Sequence, residues 1–415
     1  MSELAWLSVP VGIDAQRWVT RAARRTVLVV VHTVVAGQRL LDIVDMVETD
    51  LRVQMVYTRA PSAFGNGVTQ LLNSLDVVEI AWHQAVRERF DLAIAAGYTG
   101  LDELHAPIMV LPHGAGHAKR ARGYRGVTGY HRGGARVDRP IYGLDAQRLV
   151  RDDRVVPASI VLSHKAQREV LARQCPPAAE LAVVAGDPCY DRMLASVGRR
   201  SEYRAALGVT PERRLVVVAS TWGPQSLFAR NLALLSSVLQ QLDPARYQVA
   251  ALIHPAVWFG HGPRQVRAWL AESRAAGLML IEPLVDWRVA VLAADYVIGD
   301  HGSTTVYASA IGVPVLHVGV PTGEIDASSP QAWLGERAPV LARSRPVEVQ
   351  LHRAAKVAEH VGRQPDAMRL TSRPGQAHRV LRREMYRLLG LSVPGRHRGA
   401  DPIPVPADAK GAWHV

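Results

Sequence analysis

Two rhythms of hydrophobic and polar positions alternate along the chain. Short runs rich in β-branched residues, the first of them Thr26–Val31 (TVLVVV), are followed by a turn and then by a stretch with helical spacing, and this pairing recurs many times. Continuous apolar runs of this kind, rather than strictly alternating ones, belong to strands covered on both faces, as in a parallel sheet flanked by helices. Strands are predicted over 26–31, 51–57, 91–96, 108–111, 159–162 and 181–185, with helices over about 37–47 and 164–173. The charged stretch 198–214, interrupted by Gly208 and Pro211, reads as a short helix and connector. A second unit follows, with strands over 215–219, 247–253, 278–281, 296–298 and 315–318, a helix over 227–242 and another that begins near Ser303. The reading is thus α/β: an N-terminal extension (1–25), a first domain (26–197), a linker (198–212), a second domain (213–390) and a Pro-, Gly- and Arg-rich tail (391–415) predicted to be disordered.

Composition narrows the function classes. The 415 residues suit two domains, and 48% hydrophobic residues with a mean hydropathy of +0.02 suit a soluble globular chain. The net charge of +12 is almost entirely arginine, since the lysines are Lys119, Lys165, Lys356 and Lys410 alone. Its arginines are scattered, with modest clusters at 21–25, 120–139 and 379–383 and no basic stripe interleaved with aromatics, so nucleic acid is not an expected partner. The clusters allow peripheral contact with an anionic membrane surface. Cys175 and Cys189 provide neither a disulfide framework nor a zinc motif, and no metal-ligating spacing is present. No secretory leader or membrane-spanning run is visible, so a cytoplasmic location is expected, at most peripheral at the inner face of a membrane.

Three segments carry candidate chemistry. In the first, a strand delivers Asp300, His301, Gly302, Ser303, Thr304 and Thr305 to the start of a helix. The free amides of that first turn meet an anion at the positive end of the helix dipole, which suits a pyrophosphate; the alternative is a plain capping turn in which Ser303 or Thr304 satisfies its own helix. In the second, the strand 108–111 ends at His113 and Gly114, followed by His117, Lys119 and Arg120. An imidazole there can take a proton from an attacking hydroxyl, with glycine letting a substrate approach, or it can simply pack the loop. His117 competes for the same role, and Lys119 offers positive potential to an acceptor or faces solvent. In the third, a strand ends at His254–Pro255, able to face the first domain and to contact a donor phosphate, or else to serve as a turn residue. Thr221 and Trp222, after the first strand of the second unit, line the nucleotide cleft or pack its core. The turn Gly186-Asp-Pro188 reads as part of the interdomain hinge.

Taken in order, these segments resemble the CDP-glycerol glycerophosphotransferase family, teichoic-acid primases and polymerases of the GT-B class with two Rossmann-like domains. The resemblance lies in His113-Gly114, Thr221-Trp222, His254-Pro255 and Asp300-His-Gly-Ser303, with Ser163-His164 and Gly186-Asp-Pro188 as further matches, and covers about residues 105–316. It implies that the first domain takes the acceptor and the second the donor nucleotide. It further implies that His113 acts as base on an acceptor hydroxyl while His254 and the helix-start hydroxyls hold the donor pyrophosphate. The expected reaction moves a glycosyl or glycerol-phosphate-type group from a nucleotide diphosphate-activated donor to a polyol, glycan or lipid-linked acceptor, with no cofactor and no obligatory metal. Three departures stand out: Tyr307 where the family has an acidic residue, Gly302-Ser303 in place of Ser-Ser, and the segment after Val318. They keep open a catalytically silent nucleotide-binding protein of the same fold. A sugar-nucleotide 2-epimerase ranks lower, because Ser303, Thr304 and Thr305 stand where those enzymes carry paired glutamates.

Overall fold

The computed structural model describes residues 17–121 (except 18 and 22), 139–395 (except 322), 399–406 and the backbone of 413–414. The N-terminal extension before residue 17 and most of the 120–139 arginine cluster lie outside the described residues.

Two parallel sheets form the frame. The first holds β1 (Arg25–Val31), β2 (Val53–Arg59), β3 (Glu79–Ile80), β4 (Leu92–Ala95), β5 (Ile108–Val110), β6 (Ser159–Leu162) and β7 (Ala182–Val184), in the order β3-β2-β1-β4-β5-β6-β7. The second holds β8 (Arg214–Ser220), β9 (Tyr247–Ile253), β10 (Met279–Ile281), β11 (Tyr296–Gly299) and β12 (Val315–His317), with β13 (Trp413–His414) added antiparallel at the edge, in the order β12-β11-β8-β9-β10-β13. Val27 to Val30 of β1 and Leu215 to Val217 of β8 are fully buried, which is why their sequences run apolar without alternation. In each sheet the order reverses beside the first strand, at β1 and β8. Crevices at the carboxyl ends of strands open at such switch points.

The helices that matter for the site are α1 (Val34–Glu48), α2 (Pro188–Ser196), α3 (Pro255–His261), α4 (Trp287–Ala293), α5 (Ser303–Ala310) and α6 (Ala377–Leu389). Two of them lie across the boundaries drawn from the sequence. Ala377, Leu381, Met385 and Leu389, one face of α6, join the core of the first sheet, and Arg379 and Arg383 fall on the other side. Conversely, Cys189, Tyr190 and Met193 of α2 join the core beneath β8. The exchange of helices ties the halves at two places, so the expected division at 198–212 and 390 does not follow the packing. The connector is part of the core as well: Arg200–Ala206 is helical, and Tyr203 is fully buried.

The expectation of a disordered tail is overturned for its described part. Ile403 is fully buried; its amide donates to Ser196 Oγ at 2.8 Å and its carbonyl accepts from Tyr203 Oη at 2.7 Å. Proline-rich sequence cannot build a core of its own, but the fixed φ of Pro402 and Pro404 holds the strip extended, so it can lay one apolar side chain onto a core already formed.

Candidate functional site

The carboxyl ends of both sheets meet around one cavity of about 600 Å³. It is lined from the first half by His32, His113, Gly114, His117 and Lys119, and from the second by Thr221, Trp222, His254, His301, Gly302, Ser303, Thr304 and Thr305. The three segments singled out in the sequence therefore converge on one hollow.

The two cleft histidines take opposite tautomers. His113 follows β5, and its Nδ1 lies 3.0 Å from the carbonyl of Ala96; a carbonyl only accepts, so Nδ1 carries the proton and Nε2 is left as a lone pair. His254 caps α3, with Nδ1 accepting the amide of Ala256 at 3.1 Å, so its Nε2 carries the proton. One wall thus offers a base and the other a hydrogen-bond donor. The His113 ring lines the cavity, and desolvation, helped by Lys119 and Arg39, pushes its pKa down to about 4. Desolvation, helped by Lys119 and His113, pushes His254 down to about 3. Both rings are therefore neutral near pH 7, and His254 offers its Nε2–H rather than a positive charge to the unliganded cleft.

At the start of α5 the capping-turn alternative is excluded, and the amides of the first turn are left without a side-chain cap. Gly302 occupies the N-cap and no side chain caps the helix, so neither Ser303 nor Thr304 plays that part. Ser303 Oγ instead crosses to the first half and accepts the amide of Ala115 at 3.0 Å. Gly114 makes that crossing feasible, since a Cβ there would sit 2.6 Å from Ser303 Oγ; the glycine admits the opposing half rather than a substrate. Thr304 and Thr305 both border the cavity, but Thr305 is 1% exposed with its hydroxyl packed against Gly299. His301 is buried on the cavity wall.

Asp300 organises this corner. Its carboxylate, 2% exposed, accepts the amides of Thr221 (3.0 Å), Leu227 (2.9 Å) and Gly302 (3.0 Å), fastening the end of β8 to the start of α5. Burial raises its pKa, and the three amides oppose the rise. Thr221 contributes through its backbone and is itself buried. Trp222 packs against the second core and also lines the cleft: its ring meets Phe64 of the first half at 4.7 Å, and Lys119 Nζ stands 4.9 Å over it.

His117 does not compete with His113. It lies behind the loop, 8% exposed, with Nε2 3.3 Å from Tyr98 Oη and a pKa pushed down to about 3 by burial.

A buried polar seam beside the cavity escaped the sequence reading. Arg39 of α1 donates to Asp187 (3.0 Å), to the carbonyl of Gly114 (3.0 Å) and to Tyr307 Oη, which in turn donates to Asp187 (2.7 Å). Nearby, Asp42 accepts from Arg192 and from Arg288 of α4. Asp187, read as a hinge turn, is thus a buried anchor, and Tyr307 is a contact between the halves. The available signal was the pair Arg39 and Asp42, three apart on a helix otherwise apolar at its buried positions. Among the described residues no group of three or more His, Cys, Asp or Glu side chains is placed to hold a metal ion, and no helix is long and apolar enough to cross a membrane.

Acid should weaken the fold. Burial also pushes His317 down to about 4, so together with His117 and His254 the folded state refuses protons that the unfolded chain accepts below about pH 6.5. Asp45 and Asp191, raised to about 6 by burial, act in the opposite sense between about pH 6 and 4 and offset part of the loss. The net expectation is a Tm lower by roughly 5 °C at pH 5 than at pH 7, read by differential scanning fluorimetry. A Tm that holds or rises on acidification would contradict these proton affinities.

No protein-family profile and no curated protein sequence matches the chain. Solved structures do. The wall teichoic acid polymerase TagF aligns with a TM-score of 0.58 at 12% identity, over 89% of this chain and 90% of that one. UDP-GlcNAc 2-epimerase from Neisseria meningitidis, solved with UDP-GlcNAc, aligns with a TM-score of 0.50 at 11% identity, over 87% of this chain and all of the other. The chain therefore has the GT-B fold of two facing Rossmann-like halves, and in that fold it is similar to the teichoic acid polymerase TagF.

Proposed function

We propose that this protein transfers a glycosyl or polyol-phosphate group from a nucleotide diphosphate-activated donor to a hydroxyl acceptor. The observation that carries the reading is the pairing of tautomers across the cleft, an Nε2 lone pair on His113 facing a wall that bears the Nε2–H of His254. The donor diphosphate lies against the uncapped amides at the start of α5, with Lys119 and the Nε2–H of His254 beside it. The acceptor hydroxyl donates to His113 Nε2. Its oxygen forms the new bond to the transferred group as the bond to the leaving nucleotide breaks, releasing a nucleoside diphosphate when a glycosyl group moves and a nucleoside monophosphate when a polyol phosphate moves; the proton ends on His113, and the departing charge is met by His254 and the helix amides. A bound diphosphate raises the proton affinity of both rings, which makes His113 a stronger base in the loaded cleft than in the empty one. Two solved TagF structures carry a substituted histidine and were soaked with CDPG, which agrees with a histidine-bearing cleft that takes such a donor.

A thermal-shift panel of CDP, UDP, GDP, dTDP and their glycerol or sugar conjugates tests the reading. One nucleotide series should stabilise the fold, by about 2.7 kcal/mol at a hundredfold excess over Kd. If none of the series raises Tm, the donor assignment fails.

A further inference from the structure

The first-half end of the cavity contains a lobe that the donor does not need. Its floor is His117, whose ring lines the cavity although 92% of it is withdrawn from solvent (8% exposed). Tyr98 Oη donates to the carbonyl of Gly143 at 3.2 Å and so accepts from Nε2–H, while Nδ1, left as a lone pair, has no partner. A buried ring nitrogen left unpaired beside a cavity is costly unless a ligand or water pairs with it. The wall is Tyr142, half-buried and lining the cavity, with the Arg148 guanidinium 4.1 Å from its centroid and the Tyr98 ring edge-on at 5.6 Å. The roof comes from the other half. The segment after β12 crosses the cleft, where the amide of Arg120 donates to Glu324 O (3.0 Å) and that of Asp326 to Ala118 O (2.8 Å), bringing Glu324 and Ile325 over the lobe.

The two arginines here are paired with carboxylates. Arg148 pairs with Asp145 at 3.0 Å, Arg120 with Asp326 at 3.5 Å, and Lys119 stands over Trp222 at the donor side. A lobe with an aromatic wall, an unpaired ring nitrogen and arginines already paired suits a neutral, hydroxyl-rich group: the apolar C–H face of a sugar or polyol rests on Tyr142 and one hydroxyl pairs with His117 Nδ1. We infer that this lobe is a binding subsite for a neutral polyol or sugar, with His117 and Tyr142 as its specificity-determining residues. Calling that group the acceptor rests on the transferase reading and on His113, which lines the same cavity as His117.

Saturation-transfer NMR with glycerol, ribitol and methyl α-D-glucopyranoside at millimolar concentration tests it, with inorganic phosphate as competitor. At least one of the three should receive saturation from the wild-type protein and keep it in the presence of phosphate. His117→Gln should weaken that probe roughly three- to tenfold, the range of one lost hydrogen bond. Tyr142→Ala should abolish the signal and Tyr142→Phe restore it, with Tm confirming that each variant folds. Absence of saturation for all three probes, equal signals in wild type and Tyr142→Ala, or displacement by phosphate would each overturn the assignment. The nucleotide panel is independent: polyol binding without any nucleotide response keeps the subsite and removes the transferase reading, and the converse removes the subsite alone.

Discussion

His113→Ala should reduce turnover of the responding donor by about 10³-fold, within the range for loss of a general base, with little change in donor affinity or Tm. The asymmetry follows from where the ring sits. His113 contributes one hydrogen bond to the carbonyl of Ala96 and otherwise faces the cavity, so its removal opens no core void, and water from the cleft can replace that bond. His113→Gln is the sharper control, because its amide can still donate to Ala96 O but offers no basic nitrogen. Single-turnover kinetics with wild type and both variants separate chemistry from binding, and turnover unchanged in either variant would remove His113 from the mechanism.

The largest structural effect should come from Asp300→Ala. Three backbone amides, those of Thr221, Leu227 and Gly302, converge on this carboxylate in a site closed to water. Deleting it strands those donors, each worth about 1–3 kcal/mol when buried and unpaired. After partial relaxation the total loss should be about 3–5 kcal/mol by urea denaturation, and nucleotide stabilisation should vanish because Gly302 no longer presents α5. Asp300→Asn should recover part of the stability, since its carbonyl oxygen still accepts while its NH₂ opposes the remaining donors. A loss below about 1 kcal/mol for Asp300→Ala, the size of a surface substitution or a single ordinary hydrogen bond, would mean that the corner is held by packing instead.

Much of the frame was legible because local chemistry writes it locally. Val27 to Val31, β-branched but for Leu28, and Val216 to Val218 are apolar on both faces, and strands so marked belong inside a covered parallel sheet. Once the strands are placed, the carboxyl-end rule puts His113 at the mouth of the first sheet and Thr221, His254 and Gly302 at the mouth of the second. What escaped depends on partners far away in sequence. Arg39 meets Asp187 across 148 positions and Tyr307 across 268, pairings with no periodicity to read. Gly114 was assigned to substrate access because its true neighbour, Ser303, belongs to the other half. Tyr307, which departs from the family resemblance, proves to be a fully buried link between α5 and α1, a role invisible from its own neighbourhood. Ile403 was lost for the opposite reason: its proline-rich surroundings do indicate a strip without its own core, yet say nothing of a groove prepared by Ser196 and Tyr203.

The central claim is that donor and acceptor chemistry share the hollow between His113, His254 and the tip of α5. Long-range ¹H–¹⁵N spectra of the histidine rings, recorded while the responding nucleotide conjugate is added, test it most directly. The free protein should show His113 protonated on Nδ1 and His254 on Nε2, and saturation with the conjugate should shift both while His164, outside the cavity lining, stays put. Binding that leaves the His113 and His254 rings unmoved would place the nucleotide elsewhere and contradict the shared site.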